Sequence, residues 1–90
     1  MLKHFNITVY GNVQGVGFRW HTRRMAETLG VKGYVKNRYN GTVYIEAEGS
    51  EIQLSQFVSW CKKGPDHAQV EHVDITITDL VGFNSFTVRR

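Results

Sequence analysis

The stretch Gln14-Gly15-Val16-Gly17-Phe18-Arg19 combines features that suit a bound oxyanion. Glycines at 15 and 17 permit backbone conformations that turn successive N–H groups inward as a nest. A helix starting just after them adds unpaired donors and a partial positive charge. Arg19 offers a planar guanidinium fork that matches two phosphate oxygens. The same glycine spacing serves any tight strand-to-helix turn; the arginine at the end of the loop is what favours a phosphate cradle. A second candidate is Asn37, in Lys36-Asn37-Arg38 ahead of the Asn40-Gly41 turn. Asparagine is a common turn residue. Beside a bound anion, however, its carboxamide can hold a water through its oxygen and touch the substrate through its N–H, a positioning role and not that of a base.

Rival chemistries fail on residue type. A nucleotide P-loop needs Lys and Ser or Thr after its last glycine, where this chain has Phe18-Arg19-Trp20. A dinucleotide fingerprint needs a third glycine where Trp20 stands, and a longer chain. A cysteine phosphatase needs its thiol inside the anion loop, whereas Cys61 falls on an apolar helical stripe. Histidines 4, 21, 67 and 72 show no metal spacing and read as ordinary surface or strand residues. Glu46 and Glu48 share one face of an alternating strand, the pattern of a solvated side. No acid and base pair emerges, and neither a metal nor a cofactor is expected.

The elements that must position these groups follow from hydrophobic period. Phe5, Ile7 and Val9 alternate with polar neighbours as a strand. From about Trp20 to Leu29, the residues Thr22, Met25, Ala26 and Leu29 mark one face of a helix that stops at Gly30. Val31 to Asn37 and Thr42 to Glu48 form a hairpin about Asn40-Gly41. Ser50 with Gln53 makes a capping box, and Leu54, Phe57, Val58 and Cys61 give a second helical stripe. A loop from Gly64 to Gln69 leads to a strand marked by Val73, Ile75 and Ile77, and Phe86 and Val88 mark a short last one. This order predicts an α+β, ferredoxin-like split βαβ sandwich: an antiparallel sheet of four to five strands with two helices on one face.

Composition sets the outer bounds. Ninety residues, 41% hydrophobic with a single proline, suit one ordinary globular domain spanning 1–90. The lone cysteine excludes disulfide scaffolds and fits a reducing compartment. No apolar run is long enough to span a membrane, and the amino terminus alternates where a signal peptide would be continuously apolar, so a cytoplasmic chain with no membrane partner is expected. A formal charge of +3 favours an anionic ligand without demanding nucleic acid.

Taken together, Val13-Gln14-Gly15-Val16-Gly17-Phe18-Arg19, Gly33-Tyr34-Val35-Lys36-Asn37-Arg38 and Gly41-Thr42-Val43 resemble the acylphosphatase family. The likeness continues through Glu48-Gly49, Gly64-Pro65, Ala68-Gln69-Val70 and Phe86-Thr87-Val88-Arg89 and covers nearly the whole chain. Two departures are mild: Asn40 stands where aspartate is usual, and Arg90 where an aromatic often follows the arginine. The resemblance implies metal-free hydrolysis of the carboxyl-phosphate bond of an acyl phosphate. It implies that the backbone N–H groups of Gly15, Val16, Gly17, Phe18 and Arg19 hold the phosphate, that Arg19 clamps it, and that Asn37 orients the attacking water. Inorganic phosphate is then product and inhibitor. A monomer is expected. Two alternatives stand beside this reading. One is a single-stranded RNA-binding module using Tyr10, Tyr34 and Tyr44, although Glu46 and Glu48 lie on the face that RNA would touch. The other is a non-catalytic anion-binding regulatory domain.

Overall fold

The computed structural model describes residues 1–90. Its elements run β1 (Leu2–Asn12), α1 (Phe18–Leu29), β2 (Lys32–Asn37), β3 (Val43–Ser50), α2 (Glu51–Lys63), β4 (Gln69–Thr78) and β5 (Phe86–Arg89). The strands form one sheet in the order β4-β1-β3-β2-β5. Both helices pack on the same face, and the core lies between the layers. Ile7 and Val9 of β1, Val35 of β2, and Val43, Ile45 and Ala47 of β3 meet Phe18 and Ala26 of α1 and Leu54, Phe57, Val58 and Cys61 of α2. The period-two and period-3.6 stripes in the sequence are these two sides of one core. The capping box closes as expected: Ser50 Oγ accepts from the Gln53 N–H at 3.2 Å, and Gln53 Oε1 accepts from the Ser50 N–H at 2.9 Å. No helix is long and apolar enough to cross a membrane.

Three differences from the sequence expectation bear on function. Helix α1 begins at Phe18, not Trp20, because Gly17 serves as its N-cap, and Arg19 therefore lies in the first helical turn. Strand β4 begins at Gln69, because it stays paired with β1 beyond an irregularity at Tyr10 and Gly11. The sheet is mixed and not wholly antiparallel, since β5 pairs parallel to β2, with Gly33 opposite Phe86 and Lys36 opposite Arg89. Strand β4 lies at one edge of the sheet and β5 at the other, so the chain must cross the sheet between them.

That crossing, residues 79–85, passes over the face opposite the helices and changes the status of the polar residues there. Glu48 is only 5% exposed and His4 only 1%, so the expectations of a solvated glutamate and an ordinary strand histidine both fail. His4 Nδ1 lies 2.7 Å from Glu48 Oε2. The same carboxylate accepts the backbone N–H groups of Val81, Gly82 and Phe83. Glu46 accepts the hydroxyls of Tyr34 at 2.8 Å and Tyr44 at 2.9 Å. Arg89 covers the Tyr34 ring and Arg38 the Tyr44 ring, each with its guanidinium 3.8 Å from the ring centroid. A base-stacking platform on these two tyrosines is thus already occupied by the protein's own side chains.

Burial opposes the charged form of Glu48, but the His4 ring and the N–H groups of Val81, Phe83 and Gly82 outweigh it and draw the carboxyl down to about 2. A depressed carboxyl stabilises the fold above its unfolded value, and that contribution disappears as pH falls toward the folded value. Thermal unfolding should therefore show a steep loss of Tm between about pH 5 and pH 2. Glu48→Gln should lower Tm at neutral pH and flatten that slope. An unchanged slope in the variant would remove Glu48 from this role.

Candidate active site

The loop joining β1 to α1 is drawn between two buried anchors. Val13 is 1% exposed and Phe18 2%, and the Phe18 ring packs at a tilt against Trp60, with centroids 5.5 Å apart. Between them Gly15 and Gly17 both take φ 76°, the left-handed region. An added Cβ would meet nothing within 4 Å at Gly15, and at Gly17 no atom nearer than 3.6 Å. Conformation, not crowding, therefore demands glycine at both positions. Gly17 caps α1 without any side-chain hydrogen bond, and the ladder opens with the His21 N–H donating to the Gly17 carbonyl. The first-turn N–H groups of α1 are left for another acceptor.

The other side of the site comes from strand ends. Asn37 closes β2 opposite Val43 of β3. On alternation its side chain falls on the same face as Val35, toward the helices. Its Oδ1 is buried and has no hydrogen-bond partner. Strand β5 supplies the Arg89 carbonyl, which accepts from Arg19 Nη1 at 3.1 Å. No aspartate or glutamate pairs with Arg19.

A cleft of about 460 Å³ brings Gly15, Gly17, Phe18, Arg19 and Asn37 together, with Trp20, Arg23, Val88 and Arg90 among its walls. Val16 does not line it, because its side chain packs against the core, so its backbone alone remains available. A larger cavity of about 710 Å³ adjoins this cleft at Asn37 and Arg90 and is lined by Lys36, Arg38 and Tyr39 as well. The smaller cleft is the better candidate, because it alone holds the glycine loop and the helix start. Neither space is lined by an aspartate or glutamate side chain. Cys61 is fully buried in the core, and burial pushes its thiol far up, so it takes no part here. No three His, Cys, Asp or Glu side chains come together in a way that could hold a metal ion.

One residue inside the sequence motif has a function there that its type did not announce. Gln14 Nε2 donates to the Arg38 carbonyl at 2.7 Å and to the Thr42 carbonyl at 2.9 Å. It thereby fastens the glycine loop to the hairpin that carries Asn37. Arg23, Arg90 and the Arg89 carbonyl are likewise parts of the site that periodicity could not indicate.

Known proteins share this sequence and fold over nearly the whole chain. The family model for acylphosphatase matches residues 5–88. The chain is similar to an acylphosphatase of Archaeoglobus fulgidus, 51% identical over 82 residues that cover 91% of this chain and 92% of that one. It is similar to an acylphosphatase of Thermotoga maritima, 48% identical over 88 residues covering 98% of each. The crystal structure of an acylphosphatase from Bacillus subtilis superposes with a TM-score of 0.95 at 38% identity, covering 100% of both chains.

Replacing Gly15 by alanine forces an L-residue into the left-handed region, at a cost of roughly 1–2 kcal/mol. Chemical denaturation should show a loss of that size, with a rise in KM as the loop relaxes. Gly15→Asn should recover much of the stability, because asparagine tolerates this conformation. If alanine is as stable as glycine here, the loop does not need its left-handed backbone.

Proposed function

This chain belongs to the acylphosphatase family, and from that premise we propose how residues 1–90, acting as one domain and as a monomer, hydrolyse an acyl phosphate. The observation that carries the reading is the convergence of the glycine loop, Arg19 and Asn37 on one cleft, with the Asn37 Oδ1 buried and free of any hydrogen-bond partner in the protein. A buried acceptor left unpaired costs about 1–3 kcal/mol. Once the carboxamide turns that oxygen into the cleft, a water can fill the role, donating one proton to Oδ1 while its oxygen faces the phosphorus. The substrate phosphate sits in the nest of N–H groups from Gly15 to Arg19. The Arg19 guanidinium, steered by the Arg89 carbonyl, binds two phosphate oxygens with its remaining donors.

The water oxygen attacks phosphorus as the bond from phosphorus to the acyl oxygen breaks, and that electron pair leaves with the carboxylate. A carboxylate is a good leaving group, so the transition state is loose and its charge spreads over the phosphoryl oxygens. Preorganised donors then supply most of the stabilisation. The water's proton passes to a phosphate oxygen of the substrate, yielding a carboxylate and inorganic phosphate. This route uses neither a tuned side-chain base nor a metal ion, and the site offers the donors it requires. Inorganic phosphate, keeping the contacts of the transferred group, acts as a competitive inhibitor.

Arg19→Ala and Asn37→Ala should each reduce kcat/KM for acetyl or benzoyl phosphate, with chelator present, by an amount equivalent to about 3–5 kcal/mol of transition-state stabilisation. The two variants should part on phosphate inhibition, which weakens sharply in Arg19→Ala and stays near wild type in Asn37→Ala. Arg19→Lys should also fare poorly, since an ammonium cannot span two oxygens with a rigid fork. An Asn37→Ala enzyme that keeps most of its turnover would exclude the water-orienting role, and hydrolysis that required added magnesium would contradict the metal-free route.

A further inference from the structure

Strand β5 presents the carbonyl that holds Arg19, yet it consists only of Phe86–Arg89 and lies at the sheet edge, bonded on one side to β2. A short edge strand frays readily unless something fixes its start. The segment that leads into it, residues 79–85, offers little backbone support of its own. Its single backbone-to-backbone hydrogen bond is the Ser85 carbonyl accepting from the Gly33 N–H at 2.9 Å. What fixes it is one side chain. The Glu48 carboxylate accepts from Gly82 and Phe83 through Oε1, each at 3.0 Å, and from Val81 through Oε2. His4 holds that carboxylate from the other side, and the Phe83 ring stacks on His4 at 5.8 Å and edge-on against Tyr34 at 5.9 Å.

We propose that Glu48 is a positioning residue for Arg19, acting through the crossing segment and β5 from the opposite end of the sheet. In the pairing register Glu48 lies opposite Lys32, and Val43 opposite Asn37. At about 3.4 Å per residue the carboxylate is thus roughly 17 Å from the site along β3. The connection is continuous: Glu48 fixes residues 81–83, these set where Phe86 enters the sheet beside Gly33, and the strand carries the Arg89 carbonyl to the Arg19 guanidinium. Arg89 is held a second time, its guanidinium resting on Tyr34, whose hydroxyl donates to Glu46 on the same face. Removing the carboxylate frees the start of β5, and the carbonyl that aims Arg19 loses its fixed place. Binding of the phosphoryl group should suffer through Arg19 alone, while the Asn37 water, held by β2, should not.

This inference rests on the reading of Arg19 as the phosphate clamp, and a set of variants separates the two. The probe is inorganic phosphate, read as a competitive inhibition constant and as a dissociation constant by calorimetry. Glu48→Gln should weaken phosphate binding about 3- to 10-fold and raise KM more than it lowers kcat. Phe83→Ala, which loosens the same segment without touching a charge, should act in the same direction to a smaller extent and covers the case in which Glu48→Gln folds poorly. In the Arg19→Ala background Glu48→Gln should add nothing, whereas in the Asn37→Ala background it should have its full effect. Ile7→Val, a core change remote from β5, serves as the control for destabilisation and should leave phosphate binding unchanged. If Glu48→Gln and Phe83→Ala lower only Tm, or if Glu48→Gln is as harmful without Arg19 as with it, the positioning role is overturned while the clamp stands. If Arg19→Ala itself leaves phosphate binding intact, the clamp reading fails and this inference fails with it.

Discussion

The site depends first on the backbone between Val13 and Phe18 being held in a conformation that few residues can adopt. Two buried apolar side chains fix the ends of this loop, and two left-handed glycines bend the chain between them. The start of α1 is left uncapped by any side chain. Backbone N–H groups are strong donors that incur no further side-chain entropy when they bind, so one loop suffices to offer several donors to an anion in a domain of this size. The other components have to be brought to that loop.

Sheet topology brings them. Strand β1 delivers the loop at its carboxyl end, and β2, two places away in the sheet and running the same way, delivers Asn37 at its own. Gln14 bridges the interval by donating to two carbonyls of the hairpin, so the distance between cradle and carboxamide does not rest on strand pairing alone. Strand β5, parallel to β2, finishes at the same end of the sheet and restrains the guanidinium of Arg19. The charge balance follows the same plan. Arg19, Arg23, Lys36, Arg38 and Arg90 surround the two spaces that meet at Asn37, and no acidic side chain lines either one. On the far face Glu48 instead holds the crossing segment and Glu46 the two tyrosines.

What could be read from the sequence was what is local in it. Alternation located the strands, the helical stripes located the helices, and the Ser50 and Gln53 pair located the start of α2. The glycine loop stood out because glycine frees the backbone that does its work, and Arg19 and Asn37 because their chemistry belongs to their own side chains. What could not be read was whatever depends on a partner far along the chain. The Arg89 carbonyl has no signature in sequence, since every residue has one. Alternation showed that Glu48 and His4 face away from the helices, and by itself that means solvent; only the path of residues 79–85 makes it a buried face. The parallel pairing of β5 was hidden for the same reason, because it follows from which sheet edge the crossing segment reaches. Gln14 lay inside the motif, but the Arg38 and Thr42 carbonyls that use it emerge only from the hairpin's position in space.

In the proposed mechanism the loop, and not the larger basic cavity beside it, receives the phosphoryl group. Titration of isotope-labelled protein with inorganic phosphate, followed through backbone amide resonances, tests this most directly. The amides of Gly15 to Arg19 should move furthest and together, saturating at the concentration that gives half-maximal inhibition of hydrolysis. Shifts centred on Lys36, Arg38 and Tyr39, with the amides of Gly15 to Arg19 unmoved at saturation, would contradict it.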